Sequence, residues 1–438
     1  MITSPPLAII ILAAGKSSRM KSATSKVLHP VAGWSVLRHV LTSAQALQPE
    51  RTILVTSPEA EAIVEEGKAY CPNVIHAVQM EANGTGGAVR AALPALEGFH
   101  GNVVVLYGDS PLMRPATLHT LVAALADTSL VITAMQPANP AHYGRIMLSD
   151  SGNVEGIIEY NDATPAQRAI TLCNAGFMAL TAQAIRDYVP RITNENVKGE
   201  YYLTDIVHIA HKAGATPRHI LVAEEETLGI NDRHELAVAE AHIQRRLRAQ
   251  HLAQGVSMVA PETVYFSMDT VIERDVTIHP FVVFGAGVHI KEGSVVKSFS
   301  HIEGAHMGQD VSVGPFARLR TGTELHATVH VGNFVEIKNA TLHEGVKAGH
   351  LTYLGDAEIG AYTNIGAGTI TCNYDGTHKH RTRIGEEVFV GSDTAFVAPV
   401  TVGNGVTIAA GSVITQDVPQ DALAIARSRQ INKTEWKN

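Results

Sequence analysis

A chain of 438 residues is longer than one hydrophobic core ordinarily fills, so two or three domains are expected. Composition is that of a globular protein, 45% hydrophobic and 17% charged, and a net charge of -8 lacks the basic excess of a nucleic-acid binder. No apolar run is long enough to suggest a membrane span. Cys71, Cys173 and Cys372 have neither CxxC nor zinc-type spacing, and read as buried or half-buried thiols of a cytoplasmic protein.

The apolar opening from Met1 to Ile11 has no positive n-region and runs into a Gly-Lys turn, which predicts a first strand and not a signal peptide. Leu7 to Leu12, Arg51 to Thr56, Asn102 to Tyr107 and Leu130 to Met135 read as strands rich in Val, Ile and Leu. Helical spacing of apolar residues marks Val36 to Leu47, Glu59 to Ala69 and Ala88 to Leu96. This alternation implies a mostly parallel sheet with helices on both faces and a ligand crevice at the carboxyl ends of the strands.

Three clusters fall where that crevice is expected. Leu12-Ala13-Ala14-Gly15-Lys16-Ser17-Ser18-Arg19-Met20 is a small-residue turn that would let backbone N–H groups meet a phosphate, with Lys16 and Arg19 as cations. It matches neither common phosphate-loop pattern. Gln79 to Ala88 is a glycine-rich loop opening a helix and contains Gly84 and Thr85. Tyr107-Gly108-Asp109 ends a strand, where Asp109 suits a magnesium ligand or, equally, a cap on the next element. Lys26 is either a second phosphate ligand or a solvated surface lysine.

Arg233 to Gln254 reads as one long connecting helix, with Leu236, Ala239, Ile243 and Leu247 along one side. Beyond it the period becomes six. Anchors recur at Ile272, Ile278, Phe284, Ile290, Val296 and Ile302, then at Met307, Val313, Leu319, Leu325, Val331 and Ile337. A third series runs Ile384, Val390, Phe396, Val402, Ile408 and Ile414. Six-residue sides with one inward anchor each predict a parallel β-helix. The stretch from Ala340 to Arg383 reads as a break in that array and holds the polar Asn- and His-rich cluster, hence a loop on the functional face. Within and before it, Arg320 and Lys338 suit a sugar phosphate, His350 a general base (ordinary pKa near ~6.5), and Tyr353, Asn364 and Asn373 sugar hydroxyls.

The motifs around Leu12 to Met20, Lys26-Val27-Leu28-His29, Gly84-Thr85 and Leu106 to Asp109 resemble those of the sugar-1-phosphate nucleotidyltransferases. Tyr143 to Ile146, Ile158-Glu159, Asn174-Ala175-Gly176 and Gly229-Ile230-Asn231 extend the likeness. With the β-helix behind them, the whole chain is similar to the bifunctional N-acetylglucosamine-1-phosphate uridylyltransferase/glucosamine-1-phosphate acetyltransferase family. The resemblance implies an α/β Rossmann-like nucleotidyltransferase domain (1–232), a linker helix (233–254) and a left-handed parallel β-helix acetyltransferase domain (255–438).

It also implies roles. Leu12, Ala13, Ala14, Gly15, Gln79, Gly84, Thr85, Tyr107 and Gly108 would hold the nucleotide, with Arg19 and Lys26 neutralising the triphosphate. Asp109 and Asn231 would bind Mg²⁺, while Gly144, Glu159 and Asn174 would contact the N-acetyl sugar. Ala367, Asn373, Tyr374, Ser392, Ala410 and Arg427 would line an acetyl-CoA site. The implied substrates are UTP, glucosamine-1-phosphate, N-acetylglucosamine-1-phosphate and acetyl-CoA, leading to UDP-N-acetylglucosamine for peptidoglycan and lipopolysaccharide. The implied assembly is a homotrimer with the acetyl site between subunits. The chain departs from the family at Ser17, usually Gly, and at Ser25, usually Pro; a turn needing positive φ at position 17 would be strained by serine. Three other readings compete: a regulatory or trimerising coil, a β-helix lyase with zinc on histidines, and a non-catalytic scaffold.

Overall fold

A computed structural model describes residues 5–434 and 436; Met1 to Ser4, where the reading of the amino terminus begins, lie outside the described residues. The chain divides into two compact units, Met1–Ile243 and Gln244–Asn438. The first is a three-layer α/β domain. Its central sheet runs Arg218–Leu221, Leu130–Met135, Cys173–Thr181, Asn102–Tyr107, Leu7–Leu12, Arg51–Thr56, Ile75–Val78. The first strand lies between Asn102–Tyr107 and Arg51–Thr56, parallel to both.

Alternation along that strand divides the core. Ala8, Ile10 and Leu12 pack on one face of the sheet, with Ala88, Val89 and Ala92 of the helix Thr85–Ala92. Ile9 and Ile11 pack on the other, with Leu37, Val40 and Leu41 of the helix Val36–Gln45. This is the period-2 pattern of a strand buried on both faces. Each wholly buried Ile or Val contributes about 1.5–3 kcal/mol. The sheet is mostly parallel, as expected, with one antiparallel member on its main path: Cys173–Thr181 runs antiparallel between Leu130–Met135 and Asn102–Tyr107. It also joins the hairpin Arg145–Leu148/Val154–Ile158, so the sheet is mixed.

The long helix spans Arg233–Ala253 and is shared between the two units. Of its expected apolar side, Ala239, Ile243 and Leu247 are buried. Gln244 binds Phe266 at both backbone groups, donating to its oxygen at 2.6 Å and accepting from its N–H at 2.9 Å. That exchange fixes the start of the second unit.

The second unit is a left-handed parallel β-helix with three sheets, each coil giving one short strand to each. All eighteen sequence anchors are at most 5% exposed. They stack in register: Ile272, Ile290, Met307 and Leu325 in one ladder, Ile278, Val296, Val313 and Val331 in the next. The expected break over Ala340–Arg383 is mostly absent. Coils continue through Leu342, Ala348, Leu354, Ile359, Ile365 and Thr371 at inward positions. Two steps there are shortened by a residue, Ile337 to Leu342 and Leu354 to Ile359, which hides the period. Thr371 takes an anchor place because its hydroxyl is satisfied inside, accepting from Gly355 N–H at 2.8 Å. Within that stretch, the excursion between Cys372 and Thr382 leaves the coil.

Coil corners require left-handed backbone. Phe281, Phe299, Phe316 and Phe334 occupy equivalent corners at φ of 55 to 62°, and their rings stack at 4.9–5.2 Å. All four are about half exposed, and Leu351 continues the column.

Candidate active sites

In the first unit, the strand Leu7–Leu12 delivers the chain to the carboxyl edge of the sheet. Ala13 N–H donates to Val55 O at 2.8 Å and Gly108 N–H to Leu12 O at 2.9 Å. A Cβ on Gly108 would sit 3.1 Å from both Ala13 Cβ and Leu12 O, so a larger residue would press the strand ends apart. Leu12, Ala13, Ala14, Gly15, Lys26, Gln79, Gly84, Thr85, Tyr107, Asp109, Glu159 and Asn174 line one cavity of about 660 Å³. Lys16 lines it too. Arg19 does not: it is exposed on the short 3-10 helix Ser18–Met20.

At one wall, Lys26 Nζ contacts Asp109 Oδ2 in a short ion pair and lies 3.0 Å from Asn231 Oδ1. Ile230 N–H donates to Asp109 O at 2.9 Å, which brings the Gly229-Ile230-Asn231 segment beside Asp109. Two oxygens from distant parts of the chain thus converge on one cation, an arrangement that also fits a hard divalent ion. Among the described residues no three His, Cys, Asp or Glu side chains group as metal ligands. A metal here would therefore rest on the Asp109 and Asn231 oxygens, with water or substrate completing its shell.

At the opposite wall, Asn174 N–H donates to Gly144 O at 2.8 Å. Glu159 Oε1 accepts from Thr204 Oγ1 at 2.9 Å. A Cβ on Gly144 would lie 3.5 Å from Glu159 Oε1 and 3.1 Å from Ile157, so glycine keeps that wall open. Desolvation, with Glu159 and Asp109 nearby, raises the Tyr107 phenol well above its ordinary range. Burial, followed by Asp162 and Glu159, pushes Tyr202 to about 12. Both phenols are neutral donors at physiological pH.

In the second unit the polar cluster occupies successive coils. Glu336 and Tyr353 are register partners, as are Lys347 and Asn364. Arg320 Nη1 binds Glu336 Oε1 at 2.9 Å, and its N–H donates to Ile337 O, beside Lys338. Lys379, then Arg320, depress the Lys338 ammonium, so three cations meet on one exposed corner. Burial opposes ionisation of Asp356, but hydrogen bonds from Asn339 and Asn373, with Lys379 and Lys338 nearby, hold it below the usual carboxylate range. His350 is exposed, with Nδ1 2.7 Å from Asn333 Oδ1.

Further along, Gly366-Ala367, Gly391-Ser392 and Ala409-Ala410 follow the same ladder on successive coils. Asp393 N–H donates to Ala367 O at 2.7 Å and Gly411 N–H to Ser392 O at 2.8 Å. Arg427 donates to Ala410 O at 2.7 Å. A Cβ on Gly391 would meet Ala410 N at 2.4 Å, so close stacking itself demands small residues along this edge. Tyr374 stands on the excursion, 60% exposed.

Comparisons with known proteins agree with both halves. The MobA-like NTP transferase domain family matches residues 9–170, and the bacterial transferase hexapeptide family (six repeats) matches residues 269–304 and 381–416. The bifunctional protein GlmU of Paracoccus denitrificans is 50% identical over 99% of this chain and 96% of its own length. That of Zymomonas mobilis is 46% identical over 100% of this chain and 98% of its own. The chain belongs to the GlmU family.

Against the family pattern, Ser17 and Ser25 turn out to be partners. Ser17 has φ -84°, so the turn is not left-handed there and serine is unstrained. Its Oγ accepts from Lys26 N–H at 2.9 Å and lies 3.3 Å from Ser25 Oγ. Ser25 has φ -58°, the value a proline would impose. Side-chain hydrogen bonds here hold what a proline ring would preset.

Several site residues were not read from the sequence. Glu200, Tyr202 and Thr204 line the cavity, and no local pattern marks them. The glycine loop is their counterpart: a Cβ on Gly86 would lie 2.9 Å from Tyr201 O, and Gly84 has φ 102°. Lys379 and Asp356 were also missed, although Lys379 is the lysine of the excursion between Cys372 and Thr382. Cys71 and Cys173 are buried as expected, but Cys372 is exposed, on an outward position where the chain leaves the coil.

Proposed function

We propose that the chain is a bifunctional enzyme that acetylates glucosamine-1-phosphate and then couples N-acetylglucosamine-1-phosphate to UTP. The products would be UDP-N-acetylglucosamine, for peptidoglycan and lipopolysaccharide, and pyrophosphate. The observation that carries this reading is the pairing of two chemically distinct clusters in one chain of the GlmU family. One is the sheet-edge cavity with Lys26, Asp109 and Asn231; the other is the coil corner with Arg320, Lys338 and His350.

In uridylyl transfer, a sugar phosphate oxygen attacks the α-phosphorus of UTP and the bond to the β-phosphate oxygen breaks. No protein nucleophile is needed, only positioning and charge. Leu12 to Gly15, Gln79, Gly84 and Thr85 would bind the nucleotide, and Lys26 and Arg19 would neutralise phosphates. Gly144, Glu159 and Asn174 would orient the acetylated sugar. Asp109 and Asn231 would hold Mg²⁺, which supplies further neutralisation of the triphosphate when bound.

In acetyl transfer, the sugar amine attacks the thioester carbonyl and the CoA thiolate leaves. His350 would take the amine proton, Arg320 and Lys338 the sugar phosphate, and Tyr353 and Asn364 the sugar hydroxyls. Ala367, Asn373, Tyr374, Ser392, Ala410 and Arg427 would lie along acetyl-CoA. These groups stand on an open surface in one chain, which supports completion by a second subunit in a homotrimer. The half-exposed phenylalanine column supports the same assembly. A cytoplasmic setting follows from the substrates, UTP and acetyl-CoA. Omitting each of glucosamine-1-phosphate, acetyl-CoA, UTP and Mg²⁺ in turn from a coupled assay tests the order. Product formation without acetyl-CoA from the unacetylated sugar would overturn it.

A further inference from the structure

His350 has a partner that no sequence pattern assigned. Asn333 ends the strand His330–Asn333, His350 ends the strand Lys347–His350, and the two residues are register partners on adjacent coils. Leu351 N–H donates to Asn333 O at 3.1 Å, and Thr352 Oγ1 donates to His350 O at 2.7 Å, so the backbone on both sides is pinned. The side chains meet at 2.7 Å, Nδ1 to Oδ1. An amide oxygen only accepts, so the imidazole must carry its proton on Nδ1. Nε2 is then left with its lone pair free.

We infer that Asn333 is a positioning residue for acetyl transfer, fixing His350 in the tautomer whose Nε2 accepts the amine proton. The inference rests on the reading of His350 as the base. The choice of an amide over a carboxylate has a physical sense. His330 and Lys347 lie on the same two coils, with Lys297 two coils before His330. Burial first, then Lys297, His350 and Lys347, hold His330 below its ordinary range, and the two lysines are the positive charges on this face. A neutral acceptor orients the ring without drawing a proton onto Nε2, whereas a carboxylate would stabilise the imidazolium and withdraw the base near neutral pH.

Three variants of the full chain test this: Asn333→Leu, Asn333→Asp and His350→Ala. Asn333→Leu is expected to lower kcat for acetyl transfer by about 10–100-fold with KM for both substrates unchanged, a neutral orienter being worth less than the ~10⁴ of a buried aspartate. Uridylyl transfer and thermal unfolding should match the parent. Asn333→Asp should move the acidic limb of the kcat profile to higher pH and recover most of the rate only above that limb. Nitrogen-15 spectra of the imidazole should show Nδ1–H alone in the parent and a mixture of tautomers in Asn333→Leu. Wild-type kcat in Asn333→Leu, a KM effect alone, or an unchanged tautomer would overturn the inference. Full acetyl transfer by His350→Ala would instead sink the base reading, while the spectra would still report the Asn333 bond.

Discussion

Lys26 sits where a divalent ion would sit, and replacing it with methionine separates its two roles. Its ammonium bridges Asp109 Oδ2 and Asn231 Oδ1, with side chains only 13% and 21% exposed for the ion pair. A charge-assisted hydrogen bond of this kind is worth about 1.5–3 kcal/mol net. A cation binding the same two oxygens must first displace the lysine, so its affinity is reduced by the equivalent factor, about 10–150-fold. Lys26→Met is therefore expected to tighten Mn²⁺ binding to the nucleotide-free protein by at least about tenfold, read by electron paramagnetic resonance titration. The same variant should lose uridylyl transfer, because the cation proposed for the phosphates is gone, and keep acetyl transfer. Asp109→Asn, titrated alongside, should bind Mn²⁺ weakly. An unchanged or weaker Mn²⁺ affinity in Lys26→Met, with Asp109→Asn behaving as expected, would refute the reasoning.

Other expected outcomes follow from local chemistry. Burial, then Glu159 and Asp162, raise the Asp205 carboxyl from 3.8 to about 6. The folded state therefore holds that proton more tightly, and its contribution to stability is present below about pH 4 and lost as pH rises through about 6. Asp205→Asn should raise the Tm of the first unit at pH 7.5 by a few degrees, on the order of 1 kcal/mol since the group is partly solvated, and leave it unchanged at pH 4. Arg145, 2% exposed, donates to the backbone oxygens of Pro140, Ala141, Tyr143 and Arg168. Arg145→Met strands those carbonyls and should cost on the order of 3–5 kcal/mol in denaturant unfolding, with KM for the acetylated sugar rising as the Gly144 loop loosens. Gly332→Ala would put a Cβ 1.8 Å from Gly349 O, a backbone atom of the next coil. That variant should lose acetyl transfer and the coil's unfolding transition together, and retained activity would show that the coils separate more easily than their hydrogen bonds suggest.

What was legible from the residues depended on whether a pattern is local. The strands Leu7–Leu12 and Asn102–Tyr107 announce themselves because both faces are buried, and the motifs at their carboxyl ends fall into one cavity for that reason. The antiparallel strand Cys173–Thr181 was read only as the motif Asn174-Ala175-Gly176. Its pairing with Asn102–Tyr107 joins residues far apart in the chain, and nothing local encodes direction. Thr204 reaches Glu159 by the same kind of long-range closure. Arg19 stands apart from that closure: it is exposed on its 3-10 turn, outside the cavity lining, where a phosphate would have to extend to meet it.

The coil makes the same distinction sharper. A β-helix needs each turn to return its inward residue to the ladder above, and parallel pairing tolerates a side shortened by a residue as long as the next corner absorbs it. Ile337 to Leu342 and Leu354 to Ile359 do this, with Asn339 and Asp356 taking left-handed φ of 47 and 46° at the intervening corners. Counting by six therefore loses the array where the backbone does not. The polar cluster is not a gap in the architecture but its outward face, carried by coils whose inward residues, Ala348 and Thr371, are small or internally hydrogen-bonded. Asn333, His350 and Lys338 occupy outward or corner positions that packing leaves free, so side chains chosen for chemistry stand there on a ladder held rigid by its interior. Moving His350 one position back, to Gly349 where a Cβ meets nothing within 4 Å, would leave it outside the core but take it off Asn333 Oδ1, so full acetyl transfer by that variant would contradict this account.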